Sequence, residues 1–147
     1  MRLISKMLQQ TAGLLLLVPA MAMAQTGLRV GAAKIDVTPA PDALPANYLG
    51  VNDPVFARAI VVDDGNTRAA LLTLDAGGIP TPLWQAVSER LDQELNIPAP
   101  YLMFTATHTH SVPRAQPPGY IDLIVEAVRQ AAQNLQPATM AWGTGLS

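Results

Sequence analysis

Apolar and polar positions along this chain of 147 residues change period several times, and each change predicts an element. The run "LRVGAAKIDVTP" from Leu28 alternates loosely and closes at Thr38-Pro39, which predicts an early strand. The stretch after it, "APDALPANYLGVNDP", holds too much Pro, Asn and Gly for regular structure. "VFARAIVVDDGNTRAALLTLDAGG" then gives two β-leaning runs around Asp63-Asp64-Gly65-Asn66. Asp, Gly and Asn tolerate the positive φ of tight turns, so the pair reads as a hairpin. Beyond it the period lengthens: Leu83, Val87, Leu91 and Leu95 recur every fourth residue, with Thr81 placed to cap and Pro82 suited to the first turn, which predicts a helix. "YLMFTAT" from Tyr101 is an apolar run of strand length, and Ile121, Ile124, Val125, Val128, Ala132 and Leu135 mark a second amphipathic helix up to Pro137. The closing "ATMAWGTG" reads as the start of another strand. Strands and helices in this alternation predict an α/β fold, a mixed sheet with helices packed on it.

The first 24 residues fit no place in that fold. Arg2 and Lys6 make a basic start, "AGLLLLVPAMA" is a short apolar run, and Ala22-Met23-Ala24 has the small-x-small form that signal peptidase accepts. The run is far below the roughly 20 apolar residues of a bilayer span, so the reading is a cleaved export signal over 1–24 and a domain over 25–147, with no transmembrane anchor. Export to a periplasm or to the outside follows. Half of the residues are hydrophobic and 14% are charged, enough apolar material for a real core. Nine basic residues against 11 acidic ones, with no like-charged block, leave nothing to attract a phosphate backbone, which argues against nucleic acid as a partner. The chain has no cysteine, so no disulfide braces the exported domain and no lipid is carried on a thiol.

Chemistry concentrates in "FTATHTHSVPRAQPP", which contains both histidines of the sequence, His108 and His110. The segment leaves the C-terminal end of a predicted strand, where open α/β sheets bind ligands. In an extended backbone residues i and i+2 point to one side, so both imidazoles are expected to face a common cleft while Thr109 faces away. Two imidazoles suit a divalent metal, most often zinc; alternatively one holds the metal and the other carries a proton near neutral pH. The flanks lack the further Asp-His of a metallo-β-lactamase, and the chain has no room for an eightfold barrel.

"ATHTHSVP" resembles the histidine motif of the neutral (alkaline, non-lysosomal) ceramidases, close to T-H-T-H-S-G-P-G. "VGAAKIDVTP", "DPVFARAIVVDDGNTRAALLTLD" and "QPATMAWGTG" resemble further segments of that family in the same order, so the likeness runs through nearly all of the chain after its leader. The resemblance implies zinc-assisted hydrolysis of an amide, with ceramide or a related lipid amide as substrate and a fatty acid and a sphingoid base as products. By position it makes His108 the zinc ligand and His110 the residue that contacts substrate or shuttles a proton. It implies other zinc ligands, a histidine, a glutamate and a tyrosine, from a part of the family's domain without a counterpart here. The expectation is therefore the N-terminal portion of a larger catalytic domain, inactive alone. The alternative is a non-catalytic exported α/β domain, or a truncated relative, whose histidines are structural. Val112 and Arg114 stand where the family pattern has glycines.

Asp75, ending its predicted strand before Gly77-Gly78, is placed either to orient an imidazole or to cap a loop, the second being the commoner role. Asp36 before Thr38-Pro39 reads as turn-forming, and Ser111, with no G-x-S-x-G elbow around it, as hydrogen-bonding. Arg114 reads as a solvated loop residue, and Trp84, Met103 and Trp142 as packing residues.

Overall fold

The computed structural model describes residues 27–113 and 118–145; the predicted leader over 1–24 and Arg114 lie outside them. Arg29–Asp36 (β1) pairs antiparallel with Phe56–Asp63 (β2), and β2 pairs antiparallel with Arg68–Leu74 (β3). Thr81–Leu95 (α1) then carries the chain to Leu102–Ala106 (β4), which lies parallel to β3. Tyr120–Gln133 (α2) returns it across the sheet to Gln136–Pro137 (β5), on the far side of β1. The spatial order is β4-β3-β2-β1-β5, a mixed sheet with packed helices, as the alternation of periods predicts.

Local chemistry sets each boundary. The Asp64 carboxylate accepts the N–H groups of Asn66 (2.9 Å) and Thr67 (2.7 Å), and Gly65 takes φ +92°, so the hairpin turns where its Asp-Gly-Asn signal stands. Buried Asp63 beside that turn is matched by Arg68, at 2.9 Å, and Arg29, at 3.2 Å. Helix α1 begins one residue earlier than its capping signal predicts. Pro80 occupies the cap position and Thr81 is helical, with no side chain capping the first turn. Asn96 ends the helix in the left-handed conformation, φ 53°.

Two expectations near the C-terminus are corrected. The second helix ends at Gln133, so Leu135 lies beyond it, and the expected strand over "ATMAWGTG" is replaced by the two-residue β5 just before. Pro137 has no N–H to extend a ladder, and after Ala138 donates to Leu28 (2.9 Å) the chain leaves the sheet edge. Trp142 is consequently 90% exposed; Met103, on the uncovered face of β4, is 60% exposed, so neither is a packing residue, whereas half-buried Trp84 is.

Strand alternation sorts the sheet into two unlike faces. Ala57, Ala59 and Val61 of β2 and Ala70, Leu72 and Leu74 of β3 point into the core, where Leu83, Val87 and Leu91 of α1 and Ile124, Val125 and Val128 of α2 meet them. Gly31 explains how closely α2 lies on β1: a Cβ built there would stand 2.0 Å from the Ala131 carbonyl oxygen and 2.9 Å from the Leu135 nitrogen, both main-chain atoms. On the opposite face Ile60, Leu71 and Met103 sit in register across three strands and are 44%, 43% and 60% exposed. Among the described residues no helix is long and apolar enough to cross a membrane.

Two outcomes follow. Gly31→Ala forces α2 away from β1 and lowers stability by about 1–3 kcal/mol, read as a fall in the urea midpoint. The chain expressed alone self-associates through the row Ile60, Leu71 and Met103, and the triple change to Thr, Thr and Gln lowers the apparent mass seen by light scattering. An unchanged monomeric mass in both proteins would refute this.

Candidate functional site

The site is built from three loops that the sheet delivers to one edge. Strands β1, β3 and β4 all run in the same direction, because β1 and β3 are each antiparallel to β2 and β4 is parallel to β3. Their C-terminal ends therefore share an edge, and residues 37–55, 75–80 and 107–113 leave from it. Such an edge is where α/β sheets hold ligands.

Main-chain and side-chain bonds knit these loops together. Thr107 donates its N–H to the Leu74 carbonyl (2.9 Å), carrying the β3–β4 pairing one step past the strands. Gly77 lies so close to the histidine loop that a Cβ on it would meet the Thr109 carbonyl oxygen at 3.3 Å. At the start of the first loop Thr38 N–H reaches the Asp36 carboxylate (2.8 Å), the turn expected there, and Val55 N–H reaches the Thr38 hydroxyl (2.9 Å).

Between the loops lies a cleft of about 500 Å³ walled by Tyr48, Gly77, Ile79, Thr109, His110 and Tyr120. A second, of about 370 Å³, lies beside it under Leu44, Val51 and Val55, and the two share Tyr48, Thr109, Val112 and Pro113 as a common wall. Val112, one of the positions where the resemblance expects glycine, thus adds its side chain to both.

The histidines meet, though not as the extended-chain argument has it. His108 takes φ 63°, in the left-handed region, so the backbone is not extended there and the i, i+2 rule does not apply. Thr109, expected to face away, lines both clefts with its neighbours, and His110 but not His108 is on the wall of the larger one. The bend nonetheless brings the exposed rings together, with centroids 5.0 Å apart and planes inclined by 61°. Two imidazoles on one tetrahedral zinc, each with its nitrogen about 2.0–2.1 Å from the ion, have centroids roughly 5 Å apart. The donor type and spacing therefore suit two positions of a zinc site. A catalytic zinc takes three protein ligands, and among the described residues no three His, Asp or Glu side chains gather closely enough to supply them.

Asp75 is not oriented toward the imidazoles. Its Oδ2 accepts the Phe56 N–H (2.9 Å) and an Arg58 guanidinium N–H (2.8 Å), and its own N–H donates to the Phe56 carbonyl (3.0 Å). Burial opposes its charge, but the bonds from Arg58 and Phe56, with a smaller contribution from Thr107, hold its carboxyl below the usual range. It is a clamp between β2 and the end of β3. Ser111 uses its main-chain N–H, donated to the Thr109 hydroxyl at 3.3 Å.

Two tyrosines in the cleft wall escape a reading by periodicity. Tyr48 sits in the Pro- and Asn-rich stretch that predicts only irregular chain, and Tyr120 precedes the first residue of the helical pattern. The available signal was position: Tyr120 is an aromatic residue with a polar tip at the start of the element that follows the histidine loop.

No protein-family model matches the sequence, and no curated protein matches it. Solved structures do match: "Ceramidase complexed with C2", with a TM-score of 0.58 and 25% identity, and neutral ceramidase from Pseudomonas aeruginosa, with 0.58 and 24%. The chain resembles the neutral ceramidases in fold as well as in motif. Each match covers 76% of this chain and 22% of the ceramidase chain, so the likeness concerns about a fifth of those enzymes' length.

The Asp75 clamp gives a pH-dependent prediction. Its folded pKa lies below the unfolded value of about 3.9, so its contribution is complete above that value and is lost as pH falls through the folded pKa. Asp75→Asn should cost about 1–2 kcal/mol at pH 7, since bonds to a charged carboxylate are weakened. Urea titrations from pH 7 to pH 2 should show wild type and variant converging only below about pH 4. A gap that stays constant to pH 2 would contradict the clamp.

Proposed function

We propose that this chain carries the histidine loop of an exported zinc-dependent hydrolase acting on a lipid amide, an N-acyl sphingosine or a close relative. One observation carries the reading: His108 and His110 meet 5.0 Å apart at the loop edge of a sheet whose fold is shared with ceramidase structures. In this reading His108 holds the metal, and the remaining protein ligands come from outside the described residues. Zinc, when bound in such a site, polarises a carbonyl and lowers the pKa of water toward about 7.

The chain's own residues have separate tasks. His110, on the cleft wall, contacts the amide and moves a proton between solvent and the scissile group, which an imidazole does well near neutral pH. Ile79, Val112 and Pro113 exclude water from the cleft's apolar side, and the second cleft, sharing that wall, leaves room for the flanks of an extended substrate. Arg58 neutralises the nearby carboxylate of Asp75, so the clamp competes little for a cation held by His108. Hydrolysis gives a fatty acid and a sphingoid base, and the basic, apolar leader over 1–24 supports export.

The test uses the full-length gene product, wild type against two variants. His108→Ala should lose bound zinc by metal analysis. His110→Ala should keep zinc yet lower kcat for N-acyl sphingosine about 10²–10⁴-fold. Unchanged zinc content and unchanged hydrolysis in both variants would sink the proposal.

A further inference from the structure

Tyr120 is a polar-tipped residue of the histidine cleft with no part in the proposed reaction so far. It is the first residue of α2 and lines the cleft that contains His110, but not the second cleft. Partly buried Tyr120 packs against the hydrophobic core while also lining the cleft, so one residue joins the rigid interior to the cavity wall and brings a polar-tipped ring to it. Burial first, and the negative charge of Asp75 second, push its acidity to higher pH, which keeps the phenol protonated and able to donate. Tyr48 is the weaker candidate: it belongs to the long first loop, outside the elements that pack the core.

We propose that the Tyr120 hydroxyl donates a hydrogen bond to the carbonyl oxygen of an amide bound in the cleft, orienting it against His110. The inference rests on the hydrolase reading and deepens it. Carbonyl oxygen is the strongest acceptor an amide offers, and a donor fixed at the start of a helix presents itself without rearrangement. A tyrosine serving only the core would be replaced by phenylalanine without consequence; one that touches substrate would not.

The experiment compares full-length wild type with Tyr120→Phe, which keeps the ring and its packing. The probe is N-hexanoyl sphingosine labelled with ¹³C at the carbonyl. Its binding is followed by titration, its amide band by infrared difference spectroscopy, and its hydrolysis by product release. Wild type should shift the bound amide band to lower frequency. Tyr120→Phe should return it toward the free position and weaken binding roughly tenfold, the size of one lost hydrogen bond, at unchanged melting temperature. The same band and affinity in both proteins, with hydrolysis intact, would overturn the Tyr120 contact alone. A band shift that depends on Tyr120 with no hydrolysis under zinc loading would leave the contact standing and overturn the hydrolase reading. Absence of any binding to wild type would overturn both.

Discussion

The parallel pairing of β3 with β4 is the constraint from which the site follows. Parallel strands cannot be joined by a tight turn, so the chain between them must cross a face of the sheet, and α1 is that crossing. The same pairing brings the C-terminal end of β4 beside that of β3, and Thr107 extends it by one more bond to Leu74. Because the antiparallel β1–β2–β3 meander turns β1 the same way, its long loop also opens at that edge. A single strand orientation thus gathers the histidine loop, the Gly77-Gly78 segment and Tyr48 around one cleft.

Elements with a strong period were legible from the chain alone. The hairpin could be read because Asp64, Gly65 and Asn66 carry their own turn chemistry, and α1 because Leu83, Val87 and Leu91 mark a single buried face. The histidine loop was found because two imidazoles stand together in a chain with no others. Its conformation was not, since no local pattern encodes a left-handed residue at His108 or the close approach of Gly77 to the Thr109 carbonyl. Tyr120 was missed for a similar reason: its place in the cleft is a consequence of where α2 docks. The end of the chain misled because "ATMAW" has strand-like residues, while β1 offers that edge only the short register at Gln136–Pro137.

The two sheet faces show how unevenly the chain uses its apolar residues. Helices cover one face, with Ala127, Ala131 and Gly31 small enough to let α2 settle directly on β1. On the other face the row Ile60, Leu71 and Met103 borders a polar end where Lys34 and Arg58 both lie over the Phe56 ring, at 4.3 and 5.1 Å. Arg58 is also the partner of Asp75, so that open face and the cleft edge are joined through one guanidinium. Changes on the open face near Arg58 therefore reach the loops, whereas changes in the surface ion pairs of α1 with α2, such as Arg90 with Asp122 (2.5 Å), act on helix docking alone.

Charge distribution around the cleft divides its groups by task. Asp75 is the carboxylate whose field reaches Tyr120, and its own charge is met by Arg58 and the Phe56 N–H. Among the described residues no carboxylate joins the two imidazoles in a cluster of three or more metal-ligating side chains. An imidazole supplies a nitrogen donor without negative charge, so on the proposed reading a divalent cation held at His108 keeps nearly all of its own charge until an anionic ligand is added. That anion has to come from a residue beyond those described or from the substrate side. On the proposed reading the cleft combines a cation at the histidines, an acceptor such as a carbonyl oxygen and a protonated phenol.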